Sequence, residues 1–114
     1  MAAQDFKGLL HTDFSKPFRL RGDWEVGIYA CYIENEKGMA WVIGDFVDFS
    51  YVNETPMRLM DVIDVTDHKN GKPIYTKVIK KNLSSINIEF KRLPSSKTYI
   101  NETDIVCILH FRKA

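Results

Sequence analysis

Three histidines, two cysteines and two close carboxylate pairs are the residues of this chain that could carry chemistry, and their spacing argues against it. His11, His68 and His110 lie far apart. A metal site needs His, Cys or carboxylate ligands gathered at short spacings, and neither Cys-x-x-Cys nor His-x-x-x-His occurs. His110 follows Cys107 by three positions in an apolar run, and residues at i and i+3 of a strand point to opposite faces. No Gly-x-Ser-x-Gly elbow presents a serine. Asp45/Asp48 and Asp61/Asp64 are also spaced by three, so in strands each pair diverges and paired acid–base work is lost. Solvated strand faces and turn caps account for these carboxylates. No glycine-rich run precedes a helical pattern, which removes a phosphate loop. The sequence predicts no catalytic residue, no metal ligand and no cofactor.

The basic residues form a second candidate. Lys77, Lys80, Lys81, Lys91 and Arg92 gather near Tyr75 and Phe90, and cations interleaved with rings are what single-stranded nucleic acid uses. Lysine is equally the usual guard of an exposed sheet edge. Lys+Arg number 16 against Asp+Glu 15, a formal charge of +1, so no global field draws a polyanion. The edge reading is therefore favoured, and nucleic acid is not an expected partner.

These residues must be positioned by strands. The chain has 114 residues, 45% hydrophobic and 27% charged, the profile of one globular domain. Residues 1–15 lack a period and read as an N-terminal arm or short edge strand, with 16–114 forming the domain. Gly22-Asp23 is a turn signal. From Trp24 to Ile33 the residues alternate, with Trp24, Val26, Ile28, Ala30 and Tyr32 expected on one face. A polar loop around Asn35 follows, then apolar runs at 39–43 and 46–52. Residues 57–65 fit a strand or a helix equally. Asn70-Gly71 marks a hairpin, 74–79 reads as a strand, and 83–90 alternates through Ile86, Ile88 and Phe90. The last strand, 104–112, is apolar on both faces, which predicts burial on both sides within a sheet that earlier residues built. About seven to nine short strands and no long helix predict a single all-β, antiparallel, jelly-roll-like sandwich. Trp24 and Trp41 are expected in its core.

Cys31 and Cys107 both sit in apolar strand-like runs. They are expected as buried thiols, and the sequence leaves open whether they meet. The N-terminal residues have no apolar core of a signal peptide, and no stretch is long enough for a transmembrane helix. The three Asn-x-Ser/Thr sequons at Asn53, Asn82 and Asn101 are read as chance.

Two segments carry a family likeness. Leu20-Arg21-Gly22-Asp23-Trp24-Glu25-Val26-Gly27-Ile28 resembles a Leu-x-Gly-x-Trp-Glu-Val-Gly-Leu segment of poorly characterised proteins encoded by Maverick/Polinton elements and adintovirus-like genomes of animals. Ser85-Ile86-Asn87-Ile88-Glu89-Phe90, followed by Leu109-His110-Phe111-Arg112, resembles the end of the same proteins in order and position. Between them, Pro56 to Leu59 and the Gly71-Lys72-Pro73 turn fit loosely. Where those proteins have an acidic turn before the last strand, this chain has Lys91 to Lys97. The resemblance implies a virion component, located in the virion or the host cell interior, and brings no catalytic residue with it.

The function expected is therefore structural: a capsid, minor capsid or virion-surface protein that assembles with itself and with other virion proteins. Its contact surface is expected on residues 1–15, with Phe6 and Phe14 as anchors, on the loops around Asn35 and Asn70, and along Lys77, Lys80 and Lys81. The alternative is a sandwich that recognises a host protein, glycan or receptor, which an exposed aromatic pair would favour.

Overall fold

The computed structural model describes residues 9–33, 38–52, 54–66, 71–92 and 105–114, and these contain strands and turns but no helix. The strands are β1 (Leu9–Arg19), β2 (Trp24–Ile33), β3 (Met39–Gly44), β4 (Ser50–Val52), β5 (Thr55–Met57), β6 (Leu59–Asp64), β7 (Thr76–Lys77), β8 (Asn82–Arg92) and β9 (Ile105–Lys113). A four-stranded sheet has the order β1-β8-β3-β6 and a three-stranded sheet the order β7-β2-β9, with β4 and β5 as a separate hairpin. All pairings are antiparallel.

From β1 to β3 the chain crosses between the two sheets at every step, and it does so again from β6 to β9. This is the wrapping of a jelly-roll-like sandwich. The first strand crosses position 15 without ending: β1 pairs with β8 from Leu9 to Asp13 and again at Phe18 and Arg19, with an irregular stretch containing Pro17 between. Proline cannot donate to a ladder, so an edge strand is where it is tolerated.

Four expectations change. In β2 the register steps from Ile28↔Leu109 to Ala30↔Ile108, leaving Tyr29 as a bulge. One extra residue inverts the phase of everything after it. Val26 and Ile28 point inward before the bulge, and Cys31 and Ile33 do so after it. Ala30 and Tyr32 therefore turn away from the core that strict alternation assigned them. Second, residues 46–52 are not one strand. Phe46 and Val47 are both fully buried where the chain leaves β3 for the β4–β5 hairpin, and Val47 bridges Val78. Third, only Thr76–Lys77 of the expected 74–79 strand forms a ladder. Fourth, β9 is an edge strand buried on one face alone, with Val106 and Ile108 more than half exposed. Residues 57–65 resolve as strand: Met39↔Asp64 through Ile43↔Leu59 fix β6 beside β3.

The core lies between the sheets, around Val26, Ile28, Val42, Phe46, Ile88 and Phe90. Trp41 is half-buried on the outer side of β3, and Trp24 packs at the core's margin. The Trp24 indole N–H donates to the Arg21 carbonyl at 2.8 Å. It closes a turn in which Gly22 holds φ +82°, a conformation that costs glycine little.

Candidate interaction face

The outer side of β7-β2-β9 carries an ordered cluster of five side chains, and a glycine makes room for it. Gly27 lies opposite His110, and Glu25 opposite Arg112. The Tyr75 ring rests on Gly27, where an added Cβ would sit 3.0 Å from Tyr75 Cε2. Tyr75 Oη and His110 Nδ1 share a hydrogen bond of 2.7 Å. Tyr29, on the same outward face, stacks on His110 with centroids 4.9 Å apart. The Arg112 guanidinium lies 3.4 Å from the Tyr75 ring centroid, within cation–π range. Its Nε donates to Glu25 Oε1 at 2.6 Å.

The electrostatics follow from these contacts. Partial removal from water, then the hydrogen bond to Tyr29, hold the Tyr75 phenol above its ordinary pKa, against the opposing effect of Arg112. The bond to Glu25 holds the Arg112 guanidinium further into its charged form. Each polar group is thus engaged by another member of the cluster. The set presents aromatic rings and a guanidinium on a sheet surface. Tyrosine and arginine held in this way are the residue types that dominate contact energy at interfaces.

Beside the cluster the same face turns apolar. Tyr32 is opposite Val106, and Ala30 opposite Ile108. Val106 is 55% exposed, Ile108 54%, Tyr29 47% and Tyr32 36%. Single exposed hydrophobics need no explanation, but neighbouring ones on one sheet face mark contact surfaces.

Of the contact residues expected from sequence, Lys77 lies on this face, opposite Glu25 across the β2–β7 pair, and the other described ones lie off it. Phe6, Asn35 and Asn70 lie outside the described residues. Phe14 turns toward the gap between the sheets and packs edge-on against Phe18, centroids 4.9 Å apart. Lys80 Nζ lies 3.6 Å from Asp45 Oδ2. Lys81 Nζ donates to the Gly22 carbonyl at 2.6 Å and lies 3.8 Å from Asp23. Lys77 is exposed on β7, and its carbonyl accepts from Asp48 N–H. Lys80 and Lys81 thus neutralise carboxylates on two different turns.

The carboxylate pairs are structural. Asp45 accepts from the Asn87 backbone N–H at 3.1 Å and its side-chain amide at 2.8 Å. Asp48 accepts from Phe49 N–H. Buried Asp61 accepts from Val62 N–H at 2.7 Å and Ile74 N–H at 3.4 Å. Asp64 accepts from Thr66 N–H, which lowers its pKa. Among the described residues no three His, Cys, Asp or Glu side chains gather as a metal site, and no helix is long and apolar enough to cross a membrane. Cys31 and Cys107 are directly opposite across the β2–β9 ladder, both as free thiols. Their mutual hydrogen bond, then burial, push the Cys31 thiol well above its ordinary pKa.

Sequence alternation on β2 placed Glu25, Gly27 and Tyr29 on one face, but Tyr75, His110 and Arg112 join them only through tertiary pairing. No family model, no characterised protein and no solved structure matches this chain.

Proposed function

We propose that this chain is a non-enzymatic structural protein of a virus or virus-like element, and that it works by protein–protein contact through the outer face of its small sheet. The observation that carries the contact role is the pairing of exposed Val106 and Ile108 with the prearranged Tyr29–His110–Tyr75–Arg112 cluster. An apolar centre beside aromatic and arginine anchors is the composition of an interface core. The virion assignment rests on the sequence resemblance at residues 20–28 and 85–112. The partners are other copies of the chain and other virion proteins.

Light scattering across concentration and salt tests the reading. A closed oligomer is expected that persists at high salt, as an apolar contact would. The double variant Val106→Lys/Ile108→Lys should run as a monomer with unchanged thermal stability. A wild-type protein that stays monomeric with or without other virion proteins would overturn the reading.

A second reading has its own observation. Phe49 and Tyr51, 47% and 70% exposed, form an edge-to-face pair 5.7 Å apart at the β4–β5 hairpin, with Arg58 6.0 Å from the Phe49 ring. Exposed ring pairs of this kind suit recognition of a host protein or glycan. Binding to host-cell surfaces that is lost in Tyr51→Ala and kept in Val106→Lys/Ile108→Lys would favour it.

A further inference from the structure

Cys31 and Cys107 are the two cysteines of the chain, both are free thiols, and the β2 bulge brings them together. Before the bulge the register runs Ile28↔Leu109, and continued without the extra residue it would set Ala30 opposite Cys107. The step to Ala30↔Ile108 sets Cys31 there instead. Both sulfurs lie on the inward side of the small sheet. Cys31 is 3% exposed, and Cys107 packs against the same core cluster.

The ladder places the pair where a bridge fits. Ala114 N–H donates to the Asp23 carbonyl, and in an antiparallel pair hydrogen-bonded and non-hydrogen-bonded positions alternate. On β9 the amides of Val106, Ile108, His110 and Arg112 therefore face β2, and Cys107 falls at a non-hydrogen-bonded position. Opposed residues there have Cα atoms about 4.5 Å apart, and their side chains are closer than at the other positions. Disulfides span about 4.4–6.8 Å between Cα atoms, so a bridge fits the existing backbone. The two thiols already share a hydrogen bond, and this together with burial holds Cys31 protonated, its pKa well above the ordinary thiol range. Thiols serving as small hydrophobes need neither the direct opposition nor the shared bond.

We propose that Cys31 and Cys107 form an oxidative modification site, at which a peroxide converts the thiol pair into one cross-strand disulfide that staples β9 to β2. Cys107 acts first, because a thiolate is the nucleophile and Cys31 is held as the thiol. The Cys107 sulfur takes one peroxide oxygen, the O–O bond breaks, and the departing hydroxide becomes water with the proton that Cys107 lost. Cys31 then attacks the sulfur of the resulting sulfenic acid. The S–S bond forms, the S–O bond breaks, and the second hydroxide leaves as water with the Cys31 proton. Two thiols are oxidised by two electrons, and one peroxide is reduced to two waters. A dithiol reductant reverses the bridge. The closed loop contains β3 to β8, so the staple ties the last strand to the first part of the chain and narrows the unfolded ensemble. The site faces inward, and the proposal stands whether or not the outer face is a contact.

The test treats the reduced full chain with hydrogen peroxide, then unfolds and alkylates it for peptide mapping. A linked Cys31–Cys107 peptide should appear within one chain, both alkylation sites should disappear together, and dithiothreitol should restore both. Dimedone, which traps sulfenic acid, should label Cys107 at least about tenfold more in Cys31→Ala than in the wild type, since the resolving thiol is gone. Oxidation should slow amide exchange at Val106 and Ile108 by about tenfold, and reduction should reverse this. Thiols that both stay alkylatable, loss of one without the other, a disulfide between chains, or equal dimedone labelling of the two proteins would overturn the proposal. So would unchanged or faster exchange at Val106 and Ile108, the mark of a bridge that does not fit the ladder. If Cys31→Ala does not fold, the linked peptide and the exchange rates of the wild type decide alone.

Discussion

On the outward side of the β1–β8 ladder the cross-strand pairs are His11 with Asn87 and Asp13 with Ser85, whereas on the β2–β9 ladder they are Ala30 with Ile108 and Tyr32 with Val106. Both ladders join two long antiparallel strands at the edge of their sheets among the described residues. In the first, His11 hydrogen-bonds both Asn87 and Asp13, so its polar groups are satisfied on a wet surface. In the second, Val106 and Ile108 are more than half exposed. Cross-strand pairs stabilise a sheet either way, but exposed valine and isoleucine give up roughly 25 cal/mol for each Å² left unburied. The difference teaches that the two faces are built to different rules: one pairs polar side chains with one another, the other sets apolar side chains side by side, the composition on which the proposed contact rests.

The largest effect should come from the bulge that separates inside from outside on β2. Ile28→Ala should destabilise by about 2–5 kcal/mol, as deletions in a close-packed core do. Ala30→Lys, two positions on, should cost under about 1 kcal/mol, since this residue faces outward. Chemical denaturation of both variants checks the pair. Equal, large losses would mean that strict alternation holds and the bulge does not.

Next in size is the cross-strand thiol pair, which lies under the apolar face. Oxidation should join Cys31 to Cys107 and stabilise by about 4 kcal/mol in the chain-entropy description of a long loop. Mass spectrometry and melting of the oxidised protein check this, with Cys107→Ser as the control. On the polar side, Asp45→Ala leaves the Asn87 backbone and side-chain amides without their acceptor, and should cost about 1–3 kcal/mol by the same denaturation measurement.

The smallest effect concerns pH. The Tyr75 phenol is held above its ordinary pKa, so the fold favours its protonated form. That contribution is complete below the ordinary tyrosine range, about 10, and is lost as pH rises through the folded value. In an ultraviolet absorbance titration, Tyr75→Phe should remove a late-ionising tyrosine while stability at neutral pH barely changes.

The sequence made the architecture legible where the period was clean. Ile86, Ile88 and Phe90 point inward, as their alternation requires, and the expected last strand is displaced by one residue at each end. The Tyr29 bulge was not legible, because an extra residue leaves no mark in composition; only the register with β9 shows it. The half-exposure of β9 was missed for a related reason. An apolar run fits a strand buried on both faces and an edge strand that awaits a partner, and sequence alone does not separate them. The contact residues expected from the lysines rested on charge, whereas the cluster at Gly27, Tyr75, His110 and Arg112 is assembled from two strands and the segment before β7.

The central claim, that the outer face of the small sheet is the contact, is tested most directly by hydroxyl-radical footprinting of tyrosines in dilute and concentrated protein. Tyr29 and Tyr32 lie on that face, and Tyr51 on the β4–β5 hairpin is 70% exposed. On concentration, modification of Tyr29 and Tyr32 should fall several-fold while Tyr51 stays constant. Unchanged Tyr29 and Tyr32 in an assembled sample, or protection of Tyr51 instead, would contradict the account.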